Sequence, residues 1–185
     1  MSTSNKFSLI FILIAITVGY SLFHKKKLDT YFDASLTPIL KELPKNVSLT
    51  YFKDGKKLDL AEELKTSNGL LVHFWGTWCA PCEYELPEFL KFSEELGKKN
   101  IKVILLAVND KDVKIKKFLK RFGKLSDNII VSHDPNGHSM KEYGVVKVPE
   151  TFLFNKDGKN VNKFVGPQDW GLPVYIKRIV NYLGL

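Results

Sequence analysis

Cysteine is scarce in this chain: 185 residues hold two, Cys79 and Cys82. The N-terminal region has none, so no cysteine is available there for lipidation. Charge is missing from Phe7 to Phe23, a run of 17 residues, and acidic residues are missing from the first 27 altogether. Such a run reads as a membrane segment, because a span needs about 17 to 25 apolar residues whereas the core of a cleaved signal has about 7 to 15. Its distal end, Val18-Gly19-Tyr20-Ser21-Leu22, offers no small-x-small cleavage site, so an uncleaved anchor is favoured over a removed signal peptide. Internal repeats and low-complexity tracts are also absent. With 44% hydrophobic and 12% aromatic residues, the remainder suits one well-packed domain and is too short for two. The expected organisation is an anchor or signal at 1–27, a linker with a short helix at 28–46 and a single domain at 47–185.

The formal net charge of +8 invites a nucleic-acid reading, but four of those charges, Lys6 and Lys25 to Lys27, flank the apolar run and leave +4 for the rest. That is an ordinary surface charge. The densest basic stretch, Lys111 to Lys124, places Ile115, Phe118, Leu119 and Phe122 at i, i+3, i+4 and i+7. It is therefore a docked amphipathic helix with a solvated lysine face, and no nucleic-acid partner is expected. The lysines after the apolar run favour a cytoplasmic domain by the positive-inside count. The thiol chemistry argued below favours export, and the two signals conflict.

Downstream, Val47 to Phe52 and Lys57 to Leu60 flank an Asp-Gly turn and read as a hairpin. Leu70 to Trp75 is a nearly continuous apolar run, as in a strand covered on both faces. A helix follows from about Pro81 to Gly97, carrying Pro87 in its interior. Ile101 to Val108 is a second buried strand, the basic helix comes next, and Asn128 to Ser132 is a third strand. A short helix ends near Tyr143-Gly144, Thr151 to Phe154 and Asn160 to Val165 form a second hairpin, and an amphipathic helix from Leu172 to Leu183 closes the chain. This order predicts an α/β sandwich with a mixed central sheet.

The chemistry concentrates in Trp78-Cys79-Ala80-Pro81-Cys82. Two cysteines three residues apart on the opening turn of a helix sit roughly 5 to 6 Å apart at Cα, the separation a disulfide requires. Such a pair can cycle between dithiol and disulfide with little backbone movement. At the helix start, Cys79 faces unpaired backbone N–H groups and the positive end of the helix dipole, which favour thiolate, so Cys79 is the expected attacking sulfur. Cys82, one turn inside, is the expected resolving thiol. Glu85 lies one turn further on the same side, where a partly buried carboxylate with a raised pKa could exchange protons with the cysteines.

The stretch Val72-His73-Phe74-Trp75-Gly76-Thr77-Trp78-Cys79-Ala80-Pro81-Cys82, with Glu85, Pro87, Tyr143-Gly144-Val145 and Val148-Pro149-Glu150-Thr151-Phe152-Leu153, resembles the thioredoxin-like thiol-disulfide oxidoreductases of the membrane-tethered TlpA/ResA/DsbE type. The resemblance covers roughly Val47 to Leu183. It implies a thioredoxin-like fold and a protein-disulfide reductase that acts on exported proteins, apocytochrome c among them, and is re-reduced by a membrane electron donor. No cofactor beyond the cysteine pair is implied. Val148-Pro149 matches the family's cis-proline loop, which faces the cysteines and presents backbone groups to substrate. Trp78 is expected to shield the disulfide and join the partner-binding rim, whereas Trp75 belongs to the core. Glu150, where many relatives have threonine, is similar to the cytochrome-maturation branch. His73 departs from the family, which has an acid or a polar amide at this position; the reading of a hydrogen-bonded core histidine ranks above that of a base. Trp170 and Pro167 carry no chemistry legible in the sequence.

A metal-binding protein is the rival reading. Cys79 and Cys82 have ligand spacing, and His133 and His138 have four residues between them, but 50 residues separate Cys82 from His133. An oxidant or isomerase of exported proteins is the second rival, because the direction of exchange depends on a potential that the sequence does not set.

Overall fold

The computed structural model describes residues 13–23 and 40–185. They fall in two units, Met1–Pro38 and Ile39–Leu185. In the first, residues 13–23 are helical with exposed side chains. At 1.5 Å per residue this stretch is about 16 Å long, roughly half the hydrocarbon thickness of a bilayer. Among the described residues no helix is long and apolar enough to cross a membrane. The remainder of the expected span from Phe7, and most of the linker expected at 28–46, lie outside the described residues.

The second unit is built on a five-stranded sheet of order β5-β4-β3-β6-β7. Strands β3 (Gly69–Trp75), β4 (Ile101–Val108) and β5 (Ile129–Asp134) run parallel, and β6 (Glu150–Asn155) and β7 (Asn160–Val165) add antiparallel. Every residue of β3 is buried, as its unbroken apolar run requires of a central strand with both faces covered. Alternate side chains divide between two cores. Leu70, Val72 and Phe74 face one cluster with α1 (Leu60–Lys65) and α4 (His138–Tyr143). Leu71 and Trp75 face the other, with α2 (Ala80–Gly97), α3 (Asp112–Leu119) and α5 (Val174–Leu183). His73 shares the second face by the same alternation. The α/β sandwich with a mixed sheet is therefore present.

The first hairpin is shorter than its apolar pattern suggests: β1 (Leu49–Thr50) and β2 (Lys57–Leu58) pair over two residues each. Tyr51 bridges instead to Ser132, and the Phe52 N–H donates to the Val131 carbonyl, so this end of the hairpin is drawn to the β5 edge. The last helix begins at Val174 rather than Leu172, with Pro173 at its cap. Proline suits a helix entrance because it has no N–H to leave unpaired. Residues 40–43 also hydrogen-bond to the β6–β7 turn, through Leu43 N–H to the Gly158 carbonyl and Asn160 N–H to the Lys41 carbonyl.

Candidate active site

The C-terminal end of β3 meets the N-terminus of α2 through a three-residue turn, Gly76-Thr77-Trp78. Asp110, just past β4, holds this turn. Its carboxylate accepts the Thr77 N–H at 2.5 Å, the Thr77 hydroxyl at 3.0 Å and the Lys111 N–H at 2.7 Å. The Trp78 indole folds back over Gly76 and donates to the Val108 carbonyl at 3.0 Å. A Cβ on Gly76 would meet Trp78 Nε1 at 2.5 Å, so only glycine leaves room for the indole. Trp78 remains 52% exposed beside the cysteines that follow it in the chain.

Cys79 caps α2 and is joined to Cys82 by a disulfide, with the Cα atoms 5.3 Å apart. The Cys82 N–H points at Cys79 Sγ, 3.2 Å away. In the reduced protein this donor and the helix dipole stabilise a thiolate at Cys79. Cys79 is 6% exposed and Cys82 wholly buried, so Cys79 is the more accessible of the pair. Cys79 Sγ also lies 3.7 Å from the carbonyl oxygen of Val148, whose peptide bond to Pro149 is cis.

Behind the disulfide, Glu85 points into the domain from the next turn of α2. Its Oε2 accepts the Gln168 N–H at 2.8 Å and the Trp170 indole N–H at 3.1 Å. Its Oε1 has no hydrogen bond and faces His73 Nε2 at 3.6 Å, an atom equally without one. Burial pushes the Glu85 carboxyl up to about 7, and the two N–H donors restrain the rise. Burial drives His73 the other way, down to about 3, so the ring is neutral at physiological pH. The ring stacks on Phe89 at 4.0 Å between centroids, and its Nδ1 is 2.8 Å from the Thr151 hydroxyl. The antiparallel register sets that last contact, for it places Thr151 directly opposite His73.

A redox-capable disulfide at a helix N-terminus, a cis-proline peptide against it and a titratable carboxyl behind it make up this site. The Redoxin family matches residues 41–179. The chain belongs to that family. A thiol-disulfide oxidoreductase ResA of Bacillus cereus is 32% identical over 173 residues, covering 92% of this chain and 93% of the relative. Among solved structures, a thiol:disulfide interchange protein of the thioredoxin family from Chlorobium tepidum superposes with a TM-score of 0.61 at 24% identity, covering 78% of this chain and 97% of that one. A secreted Mycobacterium tuberculosis disulfide oxidoreductase homologous to Escherichia coli DsbE gives 0.57 at 17%, over 75% and 96%. The fold is thioredoxin-like, and this redoxin is a thiol-disulfide oxidoreductase of the ResA type.

The structure brings Cys79, Cys82, Glu85, Trp78, Val148 and Pro149 into one region, as their places in the turn after β3, on α2 and in the loop before β6 require. It does not bring His133 and His138 to the cysteine pair, and among the described residues no group of three or more His, Cys, Asp or Glu is placed to hold a metal ion. His133 instead sits on β5, its Nδ1 2.6 Å from Asp112 and its Nε2 3.0 Å from the Asp110 carbonyl. Glu150 is buried at the start of β6 and paired with Lys163 of β7 at 2.8 Å. Trp170, to which the sequence assigned no chemistry, supplies one of the two donors to Glu85. Asp110 and Gln168 also escaped the sequence reading, since one acts across a turn and the other through its backbone.

Proposed function

We propose that this redoxin reduces disulfides in exported proteins, apocytochrome c being the client type suggested by the resemblance, while tethered to the membrane through residues 1–27 and followed by a catalytic domain at 47–185. Cys79 thiolate attacks a client disulfide. One client sulfur leaves as a thiolate and takes up a proton, and Cys79 is held in a mixed disulfide. Cys82, having lost its proton, attacks Cys79, freeing the second client thiol and leaving the Cys79–Cys82 bond. Two electrons pass from the protein to the client, and a membrane electron donor returns them. Glu85 is the group that takes the Cys82 proton, because its affinity for protons lies near neutrality. Trp78, Val148 and Pro149 seat an extended client segment against Cys79.

The observation that carries this reading is the unequal burial of the two cysteines, Cys79 6% exposed at a helix N-terminus and Cys82 wholly buried behind it. The test is Cys82→Ser in intact cells. The variant should accumulate mixed disulfides through Cys79 with client proteins, and Cys79 should react with a membrane-impermeant thiol reagent. Absence of any trapped client, or labelling only after the cells are lysed, overturns the corresponding half of the proposal.

A further inference from the structure

The Glu85–His73 contact leaves one proton unassigned, and its possible positions are few. Glu85 Oε2 already faces two N–H donors, Gln168 N and Trp170 Nε1, so a proton on the carboxyl belongs on Oε1. Oε1 faces His73 Nε2, and neither atom has another hydrogen-bond partner. On the far side of the ring, Nδ1 faces only a hydroxyl, Thr151 Oγ1, which can donate or accept. A neutral imidazole carries its proton on one nitrogen and a lone pair on the other.

We propose that His73 is a positioning residue that changes tautomer with the charge of Glu85, so that one proton always lies between Nε2 and Oε1. With Glu85 ionised, the ring carries Nε2–H, which donates to Oε1, and Nδ1 accepts from the Thr151 hydroxyl. When Glu85 takes up a proton, the acid O–H on Oε1 donates to Nε2, the ring proton moves to Nδ1, and Thr151 turns to accept it. One proton enters in total, and the imidazole is neutral at both ends of the step. At 3.6 Å the two atoms stand beyond hydrogen-bond range, so the contact closes through a small rotation of the Glu85 carboxyl. Stacking on Phe89 and the Thr151 contact hold the ring plane meanwhile.

The other ionisable groups on the surrounding elements have different settings. Glu88 of α2 pairs with Lys91, Glu150 of β6 with Lys163 of β7, and the Tyr175 hydroxyl of α5 donates to Gln168 Oε1. Asp169 lies in the loop before α5, and the two cysteines are in the disulfide.

The inference rests on Glu85 as the proton carrier of the reaction proposed above, but the deciding measurement does not use activity. In the oxidised protein labelled with 15N-histidine and 13C-glutamate, the His73 ring signals should pass from the Nδ1–H to the Nε2–H pattern as pH rises, at the midpoint of the Glu85 carboxyl. In Glu85→Gln the ring should keep one tautomer throughout. A His73 tautomer that stays fixed through the Glu85 titration, or a ring that becomes doubly protonated at that midpoint, overturns the proposal. His73→Leu gives a second reading. The ionised carboxyl loses a charge-assisted donor, which is roughly twice as strong as the neutral bond lost by the acid. The pH inflection of thiol exchange should therefore rise, and an unmoved inflection counts against the pair. A switching ring combined with an unchanged rate profile in Glu85→Gln would instead remove Glu85 from the reaction and leave the shared proton standing.

Discussion

Glu85 and His73 are both buried and both titratable, and their environments push them in opposite senses: burial favours the uncharged form of each, an acid that keeps its proton and a base that refuses one. What keeps Glu85 from rising further is the pair of N–H donors on Oε2, Gln168 N and Trp170 Nε1, which oppose the larger effect of burial. Trp170→Phe removes one of these donors while keeping most of the ring packing against Phe89 and Phe92. A hydrogen bond to a charged group is worth about 1.5 to 3 kcal/mol, so the Glu85 midpoint should climb by about one pH unit or more. Following the Glu85 carboxyl by 13C NMR across pH 5 to 10 measures it, and an unmoved midpoint would show that the Trp170 donor does not hold the value down.

At the scale of elements, the turn between β3 and α2 is held from outside by the loop after β4. Asp110→Ala leaves the Thr77 N–H, the Thr77 hydroxyl and the Lys111 N–H without their acceptor. The expected loss is about 1 to 3 kcal/mol, read from urea unfolding of the oxidised protein, with faster hydrogen exchange at Thr77. This anchor shows where sequence reasoning stopped. Cys79, Cys82 and Pro149 were legible because local spacing and a neighbouring-residue motif carry them. The strand pattern of β3 and β4 was legible because burial on both faces leaves unbroken apolar runs. Asp110 was not, because its role depends on the parallel pairing that puts the end of β4 beside the end of β3. Trp170 was hidden for the same reason, since 85 residues separate it from the carboxylate it serves. His73 could be placed in the core from its strand, but its meeting with Glu85 required knowing how α2 lies across the sheet.

For the whole molecule, the two shifted groups make opposing contributions to stability as pH changes. Glu85 titrates near 4.5 when unfolded and near 7 when folded, so between those values the folded state holds the extra proton and stability falls as pH rises. His73 titrates near 6.5 when unfolded and near 3 when folded, so between those values the unfolded state holds the extra proton and stability rises with pH. Each slope is about 1.4 kcal/mol per pH unit, and the two cancel where the windows overlap, from about pH 4.5 to 6.5. Chemical denaturation of the oxidised protein should accordingly show little pH dependence from this pair in that range. His73→Asn should unmask a decline toward pH 7, and Glu85→Gln a rise from pH 3 to 6.5. If both variants keep the wild-type profile, the buried pair is not titrating as described.

The Cys79–Cys82 bond encloses only a single helical turn, with a sequence separation of 3. A cross-link restrains the unfolded chain by an amount that grows with the logarithm of the length it ties off, and this loop is near the shortest a disulfide closes. The bond's contribution to the domain's cohesion is accordingly at the low end of what disulfides supply. A catalyst that must alternate between two covalent forms thus changes its thermal tolerance less between them than one whose bond closed a long loop.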